Sequence, residues 1–96
     1  MKKIKKKPPK FSVITVVKND KFKISNTIKS VLNQTYKNFE YIVVDGKSTD
    51  GTLRVLSKYK KKINHLISRP DNGIYFAMNK GVKISKGEII VFINSG

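Results

Sequence analysis

Four short apolar runs rich in β-branched residues alternate with segments of helical periodicity. Phe11 to Val17 (FSVITVV) and Phe39 to Val44 (FEYIVV) are nearly continuous in apolar character, as expected of strands buried on both faces of a parallel sheet. His65 to Ile67 is a shorter third run, and Glu88 to Ile93 a fourth. Between the first two, Ile24, Ile28, Val31 and Leu32 recur at i, i+4, i+7 and i+8, which predicts an amphipathic helix, with Asn19 or Asp20 as its cap and Asn38 as its end. Thr52 to about Tyr59 predicts a second helix with Leu53, Leu56 and Tyr59 on one face, capped by Ser48 or Asp50. Ile74 to about Ile84 predicts a third, in which Ala77, Met78 and Lys80 are good helix formers. The stretch Pro70-Asp71-Asn72-Gly73 has turn chemistry, and Lys86-Gly87 turns the chain into the last strand.

The order is βαβαβαβ. Strands alternating with helices at this spacing predict an α/β fold, a four-stranded parallel sheet in the order 3-2-1-4 with right-handed crossovers and helices on both faces. In such sheets ligands sit beyond the carboxyl ends of the strands. Those ends carry Lys18-Asn19-Asp20, Asp45-Gly46-Lys47-Ser48, Arg69 to Gly73 and Asn94-Ser95-Gly96, so most polar and glycine punctuation gathers at one edge. The sequence ends directly after the fourth strand, where a doubly wound sheet usually continues; the expectation is a truncated part of a larger domain, residues 11–96, preceded by a disordered basic arm at 1–10.

Charge adds a second theme. The formal net charge is +15 over 96 residues, and six of the first ten residues are lysine, with a further cluster at Lys58, Lys60, Lys61 and Lys62. Three readings compete: a solubilising surface, attraction to an anionic membrane, and nucleic-acid binding. The last lacks support, because the aromatics lie inside apolar runs and no recognised nucleic-acid module is present. The longest apolar run, Ile89 to Ile93, is far short of a membrane span, and no apolar segment follows the basic N-terminus as a secretory signal requires. With no cysteine there is neither a disulfide framework nor a thiolate metal site, which fits a reducing, cytoplasmic setting.

Candidate chemistry centres on Asp45, an acid at the end of an apolar strand. It reads either as a carboxylate accepting hydrogen bonds from a base or ribose, or as a turn residue capping its own loop. Lys18 and Asn19 could reach a base or diphosphate, or Asn19 could simply cap a helix. There is no G-x-G-x-x-G after the first strand and no P-loop motif. His65, the only histidine, receives no role, and no serine, histidine and acid set suggests nucleophilic catalysis.

The segment FEYIVVDGKSTDGT resembles the signature of the family 2 glycosyltransferases: an aromatic-acidic pair opening a strand that ends in Asp and a Ser-Thr-Asp-Gly-Thr turn. SVITVVKN is similar to the first strand of that family, SVLNQTYKNFE to its first helix and connection, PDNGIYFAMNKG to the segment before its metal site, and GEIIVFINSG to the strand leading into that site. The resemblance runs from Phe11 to Gly96. The chain departs from it at Val16 and Lys18, where many members carry Thr and Tyr, at Phe76, where many carry an acid, and at Met78, where an arginine is common.

The resemblance implies a GT-A fold, a nucleotide-diphosphate sugar donor, UDP-linked by expectation, a divalent metal (Mg or Mn), and inverting transfer to an acceptor hydroxyl, saccharide or lipid-linked, in bacterial surface polysaccharide synthesis. It implies that Asp45 binds the nucleobase, that Val16, Val17, Lys18 and Asn19 lie along base and ribose, and that Lys47 and Ser48 flank the base pocket. Asp71 and Asn79 would face the donor, and Asn94, Ser95 and Gly96 would begin the metal motif. The metal-binding acid and catalytic base are expected beyond Gly96, so these residues alone are expected to be inactive. A peripheral association with the inner face of an anionic membrane accompanies this reading. The alternative function is a non-catalytic module binding nucleotide or polyanion.

Overall fold

A computed structural model describes residues 9–70 and 73–95. Most of the basic arm, together with Asp71 and Gly96, lies outside the described residues. Four strands, β1 (Phe11–Val17), β2 (Phe39–Asp45), β3 (His65–Ser68) and β4 (Ile89–Phe92), form one all-parallel sheet in the order β3-β2-β1-β4. Three α-helices connect them: α1 (Ile24–Leu32), α2 (Thr52–Ser57) and α3 (Ile74–Ile84). The expected order, parallel pairing and strand sequence are those observed.

Alternation along β1 and β2 divides the core in two. Val13, Val17, Tyr41 and Val43 face α1 and α2, packing with Ile24, Ile28, Val31 and Leu56. Ile14, Val16, Ile42 and Val44 face α3 and pack with Ala77. This double burial explains the near-continuous apolar runs. The approach of α3 to β1 is close: a Cβ on Gly81 would fall 2.7 Å from Ile14 Cγ2. At the edge, β4 leaves Ile89, Ile90 and Phe92 partly exposed.

Polar side chains inside the sheet are all satisfied. The buried Tyr41 and Thr15 hydroxyls are 2.8 Å apart, and Ser12 Oγ donates to the Glu40 carboxylate at 2.5 Å. Glu40 also accepts the Lys86 N–H at 2.5 Å, while Gly87 N–H donates to Ser12 Oγ at 2.8 Å, so a buried acid fixes the turn that admits β4. His65 Nε2 lies 3.8 Å from Glu40 Oε1.

Several local expectations are corrected. The first helix ends at Leu32, not Asn38, whose carbonyl instead accepts the Phe11 N–H. The second stops at Ser57 and passes into a 3-10 turn at Lys60–Lys62. β2 and β3 each run one residue further, to Asp45 and Ser68, and β4 is shorter than expected. Neither Asn19 nor Asp20 caps α1 with its side chain; Lys23 holds the N-cap position, and the Asp20 carbonyl accepts the N–H groups of Lys23 and Ile24. Among the described residues no helix is long and apolar enough to cross a membrane.

Candidate functional site at the carboxyl edge

Parallel pairing brings the ends of all four strands to one edge. There the loop after β1 (18–23) and the loop after β2 (46–51) are laced together by two matching relays. In the first, Ser48 Oγ donates to Asp45 Oδ1 at 2.5 Å and accepts the Asn19 N–H at 2.8 Å. In the second, Thr52 Oγ1 donates to Asp50 Oδ1 at 2.5 Å and accepts the Asp20 N–H at 2.8 Å. Each hydroxyl uses its one proton on an acid and a lone pair on an amide of the neighbouring loop. Asn19 Oδ1 returns a bond, accepting the Thr49 N–H at 2.7 Å, and Asp50 Oδ2 accepts the Lys21 N–H at 3.1 Å.

This lacing explains why the cap expectations failed. Asn19 has φ of 51° and Lys47 φ of 60°, both left-handed, and the Asn19 side chain serves the opposite loop rather than α1. Asp50 does support the start of α2, accepting the Thr52 N–H at 2.9 Å, although Gly51 occupies the N-cap position. The Thr52 hydroxyl, with burial opposing it and backbone N–H groups assisting, holds the Asp50 carboxyl below its ordinary pKa.

Asp45 is 0% exposed. Its Oδ2 accepts the Ser48 N–H at 3.0 Å and the Ser68 hydroxyl at 2.8 Å, in addition to the Ser48 hydroxyl on Oδ1. Ser68 escaped the sequence reading, although it pairs with Asp45 in the β2–β3 register and parallel partners present side chains on the same face. By sequence Asp20 is a cap candidate within the polar end of β1. Its Oδ2 accepts the Ser95 hydroxyl, which ties the end of β4 to the β1 loop.

Beside this network lies a cleft of about 350 Å³ lined by Val16, Val17, Lys18, Gly73, Ile74, Asn94 and Ser95. Five residues singled out from sequence therefore share one cavity. Val16 and Val17 belong to opposite core layers, so neither brings a polar side chain to it. Lys18 is an exposed cation at the lip, and Lys47 is exposed on the adjoining loop. Asn79 is not brought to this cleft; it is exposed on α3 and lines a separate depression with Phe76, Lys80 and Lys83. Two aromatic side chains at this edge are exposed: Phe22, in the turn before α1, is 84% exposed with the Lys21 Nζ 5.0 Å from its ring centroid, and Tyr75, in the first turn of α3, is 78% exposed.

Among the described residues no three His, Cys, Asp or Glu side chains converge as a metal site. Among the described residues, the side-chain oxygen donors at the end of β4 are Asn94, Ser95 and the carboxylate of Asp20, which already accepts the Ser95 hydroxyl. Hard divalent cations favour one or two carboxylates with phosphate and water oxygens, so this donor set is not by itself a complete site.

Residues 12–95 match the family model described as Glycosyl transferase family 2. The chain is 40% identical over 92 residues to the poly(ribitol-phosphate) beta-glucosyltransferase of Bacillus spizizenii, a match covering 90% of this chain and 14% of that protein. Its fold is similar to the mannosyltransferase PcManGT of Pyrobaculum calidifontis, solved with GDP-Man and Mn2+, at a TM-score of 0.82 and 26% identity over 90% of this chain and 27% of the other. It is also similar to TarS 1-349 of S. aureus, solved with UDP-GlcNAc, at a TM-score of 0.80 and 32% identity over 88% of this chain and 26% of the other. The chain spans about a third or less of the length of the relatives it matches.

Proposed function

The chain belongs to glycosyl transferase family 2, and from that premise we propose that its GT-A sheet forms the donor-nucleotide part of an inverting sugar transferase. The observation that carries this reading is the cleft at the carboxyl edge, where Val16, Val17, Lys18, Asn94 and Ser95 come together beside the laced loops of Asn19, Asp45 and Ser48. The donor is a nucleoside-diphosphate sugar, UDP-linked by preference, and the acceptor a hydroxyl of a growing surface polysaccharide. Two of the similar proteins support this: TarS is solved with UDP-GlcNAc, and the Bacillus relative is named for transfer to poly(ribitol-phosphate).

Binding follows from the chemistry of the edge. An anionic diphosphate is drawn to the exposed ammonium of Lys18 at the cleft lip, and Lys47 adds a second cation on the adjoining loop. A uracil imide N–H is the kind of donor a buried carboxylate can satisfy. It would take the place on Asp45 Oδ1 now held by the Ser48 hydroxyl, while Ser68 and the Ser48 N–H keep Oδ2 occupied. In the transfer, the acceptor oxygen loses its proton to a base and bonds to the anomeric carbon as the bond to the nucleoside diphosphate breaks. Among the described residues lining the cleft none is a carboxylate, and the role proposed for them is to hold the donor. A divalent cation, when bound, would supply charge neutralisation for the departing diphosphate, and among the described residues Asp20, Asn94 and Ser95 would offer it oxygens at the end of β4.

Titration calorimetry with UDP, GDP and dTDP tests the proposal. UDP should bind, and Asp45→Ala should weaken it by about 1.5–3 kcal/mol, the range for a hydrogen bond to a charged group. Asp45→Asn, which keeps the shape, separates lost recognition from a collapsed loop. A folded Asp45→Asn variant with wild-type affinity, or a wild type indifferent to all three nucleotides, would remove the assignment.

A further inference from the structure

The charge of the folded chain is lopsided. At the amino edge of the sheet, opposite the cleft, Lys10 precedes β1, Lys37 precedes β2, Lys60, Lys61 and Lys62 form the turn before β3, and Lys86 precedes β4; all six are exposed. Both long helices run back toward this edge and carry Lys29 and Lys83 in their last turns. The acids there are Glu40, buried and already bonded to Ser12 and Lys86, and Glu88. The loops are short enough to hold this arrangement together: the Lys10 carbonyl accepts the N–H groups of Glu88 at 2.7 Å and Ile89 at 3.3 Å, so the approaches to β1 and β4 are joined. The carboxyl edge differs, since its lysines are interspersed with Asp20, Asp45 and Asp50. Five further lysines precede Pro8 in the sequence.

A surface that is charged only for solubility mixes both signs. Here one sign is concentrated on one edge. Lysine ammonium groups are compact, mobile point charges without the planar fork of arginine, which suits a fluid array of anionic headgroups better than readout of a defined motif. We infer that the amino edge of the sheet is a docking surface for an anionic lipid bilayer. The seven residues of β1 span about 23 Å, so a bilayer at this edge lies well beyond the Debye length of about 8 Å from the cleft. Docking thus turns the donor cleft away from the membrane and leaves its cations to the nucleotide. The inference does not depend on the nucleotide assignment, because it uses a different edge and different residues.

Sedimentation with vesicles of phosphatidylcholine, with and without a minority of phosphatidylglycerol, is the test. The chain should bind only the anionic vesicles, and high salt should release it. K61Q/K62Q should weaken binding about 25-fold, at about fivefold per lysine. K21Q/K23Q removes the same charge from the carboxyl edge and should change binding little. A chain lacking residues 1–8 should still bind anionic vesicles and should still be weakened by K61Q/K62Q. Equal losses from the two pairs would mean that total charge, not one edge, drives binding, and would overturn the inference. So would loss of all binding on deleting residues 1–8, or a wild type that ignores vesicles while binding soluble polyphosphate through the same lysines.

Discussion

Ser12 Oγ donates to the Glu40 carboxylate at 2.5 Å across the β1–β2 pair, and the same hydroxyl accepts the Gly87 N–H at 2.8 Å. The strand-opening acid of the family signature thereby acts from inside the sheet, far from the cleft. It fixes how the chain enters β4, whose far end supplies Asn94 and Ser95 to the site.

Glu40 should make stability depend on pH. Burial pushes its pKa up, but the hydrogen bonds from Ser12 and the Lys86 N–H, with the nearby Lys10 charge, outweigh it and hold the carboxyl below its ordinary value. A depressed carboxylate pKa contributes stability above the unfolded value, about 4.3 for glutamate, and loses it as pH falls through the folded value. Glu40→Gln should therefore cost about 1.5–3 kcal/mol near pH 7, the range for a hydrogen bond to a charged group. The gap to wild type should close as pH falls below 4.3 or so. Urea melts of both proteins across this range are the check, and a gap that stays constant with pH would exclude the charge as its source.

Gly81 should tolerate no side chain. Alanine is the better helix former by about 1 kcal/mol, so a surface glycine in α3 would gain from the change. Here the new Cβ would lie 2.7 Å from Ile14 Cγ2 and 3.2 Å from Cδ1, against a side chain that is itself buried. Overpacking of this kind costs about 1–3 kcal/mol, so Gly81→Ala should be destabilising on balance. Combining it with Ile14→Ala should cost less than the sum of the two changes, and a double-mutant cycle with no coupling would mean that the contact is relaxed elsewhere.

The order of strands and helices was legible because burial on both faces leaves an unbroken apolar signature, as in Phe11–Val17, while the helices show their stripe at Ile24, Ile28 and Val31. That the carboxyl ends of the strands, with their polar punctuation, gather at one edge was legible too, because parallel pairing requires it. What remained hidden was how those polar residues are spent. Asn19 bonds Thr49 and Asp20 bonds Ser95, at sequence separations of 30 and 75, and no local pattern distinguishes such a partner from a helix cap. Ser68 carried a usable signal in its register with Asp45, but the shorter third strand expected from sequence stopped before it. Asn79 looked suited to the donor by family position, yet its place along α3 puts it on a different depression.

Lys47 offers a separation of stability from binding. Its φ of 60° is left-handed, a conformation that costs a side-chain-bearing residue about 1–2 kcal/mol and glycine almost nothing. The residue follows Gly46, whose N–H donates to the Val17 carbonyl at 2.9 Å, and precedes Ser48, which holds Asp45, so the loop cannot relax without breaking the relay. Lys47→Gly should raise stability by about 0.5–1 kcal/mol, the strain relieved less the extra freedom glycine gives the unfolded chain. If the lysine is kept for its charge on the nucleotide, the same variant should bind UDP more weakly, by about 1 kcal/mol for one exposed cation near a diphosphate. A strained residue kept at a functional site has this signature: greater stability and weaker binding from one change. Thermal melts and calorimetry on the single variant read both quantities. A gain in stability with unchanged UDP affinity would leave Lys47 as a loop residue only, and a loss of stability would mean that the lysine side chain supports the loop by contacts worth more than its strain.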